Sequence, residues 1–187
     1  MVSFRLDDQI VLREFKAGDA DAVFETVMRN YDHLKPFMHW ITSDYSRQSA
    51  VEFIRQAQID REERRSMGFG IFDSGEFIGS IGFVNFDWAA KTTEMGYWIS
   101  ATHEGKGIVS AACRRLIQFA IDDLEMNRIE IHCSTENKRS AAIPERFGFT
   151  REGVLRQAAL RDGKLHDFAI YGLLAAEWKK EAGSSTS

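Results

Sequence analysis

The chain has 187 residues, 44% hydrophobic and 28% charged, with a formal net charge of −4 and two cysteines. That length fits one domain with a full core, and the mildly acidic balance gives no general nucleic-acid-binding surface. No apolar run is long enough to span a bilayer, the first residues show no signal-peptide pattern, and Cys113 and Cys133 fall inside predicted elements. The expectation is a cytoplasmic protein of a reducing compartment, with no membrane and no nucleic-acid partner.

Residues 9–15 alternate and are β-rich, which predicts a strand, with Phe4 and Leu6 as an earlier part of it. Lys16-Ala17-Gly18-Asp19 punctuates the strand. Asp19 and Asp21 then place acid in the first turn of a helix running to about residue 29, with Ala20, Val23, Phe24 and Val27 on its apolar face. Residues 31–40 read as a second short helical piece. Ser46 caps a third helix, residues 48–65, with Val51, Phe53, Ile54, Ala57 and Ile59 as apolar positions and a solvated charge run at its end. Residues 67–72 and 77–85 are strands joined by Asp73-Ser74-Gly75-Glu76, which has hairpin-turn chemistry, and residues 93–100 continue the meander. A long amphipathic helix follows at 107–124, a strand at 127–133 and a short helix at 137–147 that Gly148 stops. Two strands, 154–160 and 164–174, flank Asp162-Gly163. A helical turn at 175–180 and a small-polar tail at 183–187, expected to be disordered, complete the chain. The order predicts one α/β domain of the α+β type over residues 1–182, with a mixed, mostly antiparallel central sheet flanked by helices. It does not match alternating Rossmann units, because the glycine turn follows a meander.

That turn, Glu104-Gly105-Lys106-Gly107, carries the chemistry. It stands between a strand and the long helix, so its backbone N–H groups and the helix dipole form an anion seat suited to phosphate. A plain glycine turn before a helix reads equally well. A P-loop does not, because no Ser or Thr follows Lys106. With Glu94-Met95-Gly96-Tyr97-Trp98-Ile99 before it, Ile108 behind it, and Asn137-Lys138-Arg139-Ser140 and Arg146-Phe147-Gly148-Phe149 after it, the sequence resembles the GNAT superfamily of acetyl-CoA-dependent N-acetyltransferases. Within it, the chain looks most like the branch acting on ribosomal-protein serine and alanine N-termini.

The resemblance implies a splayed strand at Gly96–Ile99 that pairs with the pantetheine arm of coenzyme A, through Trp98 and Ile99. A backbone N–H near Ile99 polarises the thioester carbonyl. The pyrophosphate sits on the backbone of Glu104, Gly105, Lys106, Gly107 and Ile108. Glu104 stands where the family has Gln or Arg, so its side chain must point away from the anion. Asn137 resembles the asparagine that holds the cofactor; it reads equally as a helix N-cap. The tyrosine that many members use to protonate the leaving thiolate is replaced here by Pro144, and Ser140 matches the serine that the ribosomal branch uses instead. The branch glutamate falls on Ala159 by a gapless count, which leaves Glu94, His166 and Asp167 as candidate bases or acceptor-side residues. An α-amine, with a pKa of about 7.7–8.0, needs only modest base assistance. Phe37, Trp40 and Trp88 are candidate walls of the acceptor cleft. His33, His39 and His103 are too scattered for a metal site. The expected acceptor is a primary amine, a ribosomal-protein N-terminus first and a polyamine or aminoglycoside second. A non-catalytic acyl-CoA sensor is the reading from another class, and a homodimer follows from family habit.

Overall fold

The computed structural model describes residues 1–161 and 163–184, the last five without their side chains. Among these residues are eight strands and six helices in the order β1 (Ser3–Arg5), β2 (Ile10–Glu14), α1 (Ala20–Arg29), α2 (Tyr31–Leu34), α3 (Arg47–Glu62), β3 (Met67–Asp73), β4 (Glu76–Asp87), β5 (Thr92–Ile99), α4 (Ile108–Asp122), β6 (Arg128–Ser134), α5 (Lys138–Arg146), β7 (Thr150–Arg161), β8 (Lys164–Leu174) and α6 (Ala175–Ser184). The strands form one mixed, mostly antiparallel sheet in the order β1-β2-β3-β4-β5-β6-β8-β7, with β5 and β6 parallel. No helix among the described residues is long and apolar enough to cross a membrane.

The chain divides into two compact units, Met1–Val84 with Gly96–Arg115 and Asn85–Met95 with Leu116–Ser187. In the first unit, Phe15, Val23, Val27, Leu34, Ile41, Ala50, Ile54, Phe72 and Phe77 pack into one buried cluster. Each such side chain contributes about 1.5–3 kcal/mol by leaving water. In the second unit, Ile129, Ile131, Cys133, Ala169, Tyr171 and Leu173 alternate along β6 and β8 on one buried face, with Phe147 and Trp178 in edge contact at 6.3 Å.

Local chemistry accounts for most boundaries. Ser46 accepts from Ser49 N and caps α3. Ser74 and Gly75, at φ 49° and 89°, make the two-residue turn between β3 and β4. Several expectations are corrected. Phe4 is not an extension of β2: Asp7 accepts from Gln9 N (2.8 Å) and Ile10 N (2.7 Å), which turns the chain and sets Phe4 opposite Leu12 on a separate antiparallel strand. The helical piece at 31–40 is only the four residues of α2, and turns follow it. Val51 and Phe53 on α3 are exposed (40% and 45%), because Ala50 and Ile54 supply its buried stripe. Strand β7 starts at Thr150, and α6 extends past the single expected turn to Ser184. Asp162 of the last hairpin and residues 185–187 of the expected tail lie outside the described residues.

Asp19 ties β2 to the start of α1. It receives two hydrogen bonds from Arg13 (2.7 and 2.8 Å) and one from Lys16 N (2.7 Å). Burial alone would raise its carboxyl pKa, but the Arg13 and Lys16 hydrogen bonds outweigh burial and hold it below the ordinary value. A depressed carboxyl pKa stabilises the fold above the unfolded-state value and loses that contribution as pH falls through the folded one. Asp19→Asn is therefore expected to cost about 1–2 kcal/mol in urea unfolding at neutral pH. The gap between variant and wild type should close as pH drops below about 3.9.

Candidate functional site

The candidate residues fall in both units. In the first, β5 is held close to β4 at Gly79. A Cβ there would collide with the Trp98 carbonyl and lie 2.9 Å from Ile99 Cα. Ser100 N donates to Ile78 O at 2.8 Å just beyond. The ladder from β5 to β6, by contrast, covers only Thr92↔Arg128, Thr93↔Ile129 and Glu94↔Glu130, although β5 continues to Ile99 and β6 to Ser134.

The turn after β5 contains Gly105 and Gly107 at φ 72° and 79°, the left-handed region that glycine enters without cost. A Cβ built at Gly96, Gly105 or Gly107 meets nothing within 4 Å, so there is open space beside each of these glycines. The first bond into α4 is Ala111 N to Gly107 O at 2.9 Å, and the N–H groups ahead of it have no carbonyl within the helix to donate to. With the helix dipole behind them they suit an anion. Lys106 is exposed at this turn. The carboxylate of Glu104 turns aside to His33, with Nε2 at 3.3 Å. This is the orientation an acid needs next to an anion seat.

Trp98 places its ring in an aromatic group of the same unit, 5.7 Å from Phe77 and 6.2 Å from Trp40. Trp40 is in turn 5.8 Å from Tyr45. Burial raises the Tyr45 phenol pKa to about 12, so it is neutral at working pH. Trp40 is 37% exposed, and Phe37 is half-buried. Trp88 belongs to the second unit, where it stacks on Phe86 at 4.8 Å.

In the second unit, Asn137 caps α5: its side-chain oxygen accepts from Ser140 N at 3.0 Å, which leaves the amide nitrogen end as a donor. Ser140 hydrogen-bonds the Cys133 thiol. Burial dominates there and raises the thiol pKa, while the serine bond opposes it. Cys133 is thus a buried neutral core thiol. His166 Nδ1 lies 3.0 Å from Glu136 Oε2, and His166 pairs in register with Ala159. The carboxylate of Asp167 is engaged in structure. It accepts from Gln157 N at 2.8 Å and so secures the β7 irregularity in which Gln157 has φ 54°, while its carbonyl accepts from Thr135 N at 3.1 Å. Asp167 accordingly supports the β7–β8 hairpin through one carboxylate oxygen.

Glu94 lies 3.5 Å from His132 Nδ1, and His132 Nε2 lies 2.7 Å from Glu130. Burial chiefly raises the Glu94 pKa; the His132 charge opposes this and Glu130 adds to it. Sequence reading passed over His132. Its only signal was the Arg128-Glu130-His132 alternation on one strand face, which becomes informative once the register with Glu94 is known. No group of three or more metal-ligating side chains occurs among the described residues.

A strand that leaves its neighbour, a glycine turn and a helix start fit an acyltransferase that takes its acyl group from acyl-coenzyme A. The model of the Acetyltransferase (GNAT) domain matches residues 9–150, and the chain belongs to that family. It is an acyltransferase whose acyl donor is acetyl-CoA. YdaF of Bacillus subtilis, provisionally named a ribosomal N-acetyltransferase, is 32% identical over 185 residues, 97% of this chain and 100% of that one. The ribosomal-protein-serine acetyltransferase of Escherichia coli is 25% identical over 169 residues, 90% of this chain and 94% of that one. The microcin C7 self-immunity acetyltransferase MccE, solved with acetyl-CoA and AMP, superposes with a TM-score of 0.85 at 32% identity over 90% of this chain and 94% of that one.

Gly79→Ala tests the support of β5. The new methyl must push Trp98–Ile99 outward, and the expected cost is about 1–3 kcal/mol in thermal unfolding. Acetyl-CoA binding measured by calorimetry should weaken with it, whereas Gly18→Ala, where a Cβ meets nothing within 4 Å, should change neither.

Proposed function

We propose that the chain is one acetyltransferase domain over residues 1–182 that transfers acetyl from acetyl-CoA to a protein N-terminal α-amine, of the ribosomal-protein type. The observation that carries this reading is Ser140. It stands one turn into α5 behind its cap Asn137, with its hydroxyl already hydrogen-bonded to a sulfur. A serine donor aimed at sulfur is what a leaving thiolate needs, and Pro144 occupies the position of the alternative tyrosine acid. The names of the two relatives above support the acceptor class.

In this reading, bound acetyl-CoA supplies the activated acyl group. The backbone of Trp98 and Ile99 holds its pantetheine arm, and an N–H there polarises the carbonyl. The backbone of Glu104, Gly105, Lys106, Gly107 and Ile108 holds the pyrophosphate, and the Asn137 amide nitrogen adds a hydrogen bond. Glu94 takes the proton from the acceptor ammonium. His166 is the rival base, because it stands in register opposite Ala159, where the branch carries its carboxylate. Phe37 and Trp40 in the first unit, and separately Trp88 in the second, are the candidate acceptor contacts.

A second reading, a small-molecule amine acceptor, is favoured by the similarity to the spermidine N(1)-acetyltransferase of Vibrio cholerae, 24% identical over 176 residues. A steady-state assay separates the two. Peptides beginning with Ser or Ala are expected to be acetylated with higher kcat/KM than polyamines, aminoglycosides or aminoacyl compounds. Ser140→Ala should lower kcat about 100-fold with little change in KM for acetyl-CoA. Preference for a small amine would reverse the order of the readings, and acetyl-CoA binding without any turnover would leave an acyl-CoA sensor.

A further inference from the structure

We infer that His132 is a positioning residue for deprotonation of the acceptor: anchored by Glu130, it receives through Glu94 the proton that the acceptor ammonium gives up. This rests on the reading of the chain as an amine acetyltransferase and adds to it a residue that no family motif points to.

The first support is the tautomer. His132 Nε2 is 2.7 Å from Glu130 Oε2, and a carboxylate there can only accept, so Nε2 carries the hydrogen. The neutral ring then turns its Nδ1 lone pair toward Glu94 Oε2, 3.5 Å away. Glu130 is itself held: Arg128 Nε donates to its Oε1 at 2.9 Å, and the Arg128 Nη1 donates to Glu152 at 2.7 Å. Held by the guanidinium, the Glu130 carboxylate keeps the imidazole oriented.

The second support is position. Glu94↔Glu130 is the last pair of the β5–β6 ladder, so the group stands where that ladder ends. Glu94, Glu130 and His132 are each partly exposed, which leaves the group reachable from solvent. The residues facing His132 are Glu94 from β5, Glu130 from its own strand with Arg128 behind it, and apolar Ile170 in register on β8, with Glu152 of β7 reached through Arg128. His166 lies further along the same face of β8. No cation other than Arg128 occurs in this set.

The proton balance closes. The acceptor R–NH3⁺ gives a proton to the Glu94 carboxylate, which leaves R–NH2 and a neutral carboxyl. The carboxyl passes that proton to His132 Nδ1 and returns to carboxylate, and the imidazolium between two carboxylates releases it to solvent. Burial raises the Glu94 pKa, which makes its carboxylate a better first acceptor for the ammonium proton.

The test uses the full chain, acetyl-CoA and a Ser-starting peptide, with kcat/KM followed across the range in which carboxylates, imidazoles and α-amines titrate. His132→Gln keeps a donor for Glu130 but cannot take a proton. It is expected to bind acetyl-CoA as wild type by calorimetry and to fall about 100-fold in rate at neutral pH. Its rate should recover as pH rises through the acceptor's own pKa of about 7.7–8.0, where the free amine forms without help. A loss equal at every pH, a wild-type profile, or a limb kept in His132→Gln but lost in His166→Gln overturns the inference while leaving acetyl transfer intact. Wild-type enzyme that binds acetyl-CoA and acetylates no amine at any pH overturns the proposed function, and the inference falls with it.

Discussion

Strand β5 is supported unequally along its length, and the site depends on that. On the β4 side the backbones approach so closely at Gly79 that no side chain fits between them. On the β6 side the ladder lasts three residue pairs. A strand with unpaired backbone polar groups must satisfy them with water or a ligand. In the proposed reading the pantetheine arm meets that need, because an extended amide-bearing arm can take the place of a neighbouring strand. Glycine at 79 and at 96 has a related purpose at each end of the argument: one lets the strand sit close to its neighbour, and the other leaves open space beside it.

The anion seat shows how main-chain binding relaxes constraints on sequence. Glu104 would repel a pyrophosphate if its carboxylate faced the same way as the N–H groups of the turn. The partly buried pair with His33 fixes it elsewhere. The charge requirement is met by backbone N–H groups and the α4 dipole, so an acid at this position costs little. The same segment is tied in a second way, through Ala101 N donating to Asn30 Oδ1 at 2.8 Å. The turn is therefore braced by residues at and beyond the end of α1, far away in sequence.

Legibility in the sequence followed the range of the interaction responsible. The Ser74-Gly75 turn, the Ser46 and Asn137 caps and the glycine turn at 105–107 are local, and all were read correctly. So was the family, because its motifs are contiguous stretches. The short α2, the separate β1 and the β7 irregularity were misread or missed, since an Asx turn at Asp7 and a hydrogen bond from Gln157 to Asp167 decide them. The bond from Gln157 to Asp167 has no sequence signal, because an acid on a terminal strand has no visible partner until the hairpin is paired. His132 was invisible for the converse reason: alternation along β6 made it an ordinary strand residue, and only the parallel register brings Glu94 to it.

Period-two alternation gives the second unit a division of labour. Odd-numbered residues of β6 point to the face where Ser140 meets Cys133 and where Tyr171 donates to Glu145 at 3.2 Å, so α5 covers that face. Even-numbered residues, Arg128, Glu130 and His132, point to the other, where Glu94 joins them. Acyl transfer to an amine needs a proton acceptor for the nucleophile and a proton donor for the leaving thiolate. In the proposed reading the donor Ser140 and the acceptor group around Glu94 belong to opposite faces of β6, so thioester and amine reach the reacting carbon from opposite sides. The same geometry explains how the branch glutamate can be absent. Ala159 pairs with His166, whose face is that of His132 and Ile170. His132 and His166 therefore stand on the face that the resemblance gives to the branch carboxylate, and in the proposed reading the requirement that survives is the face rather than the residue.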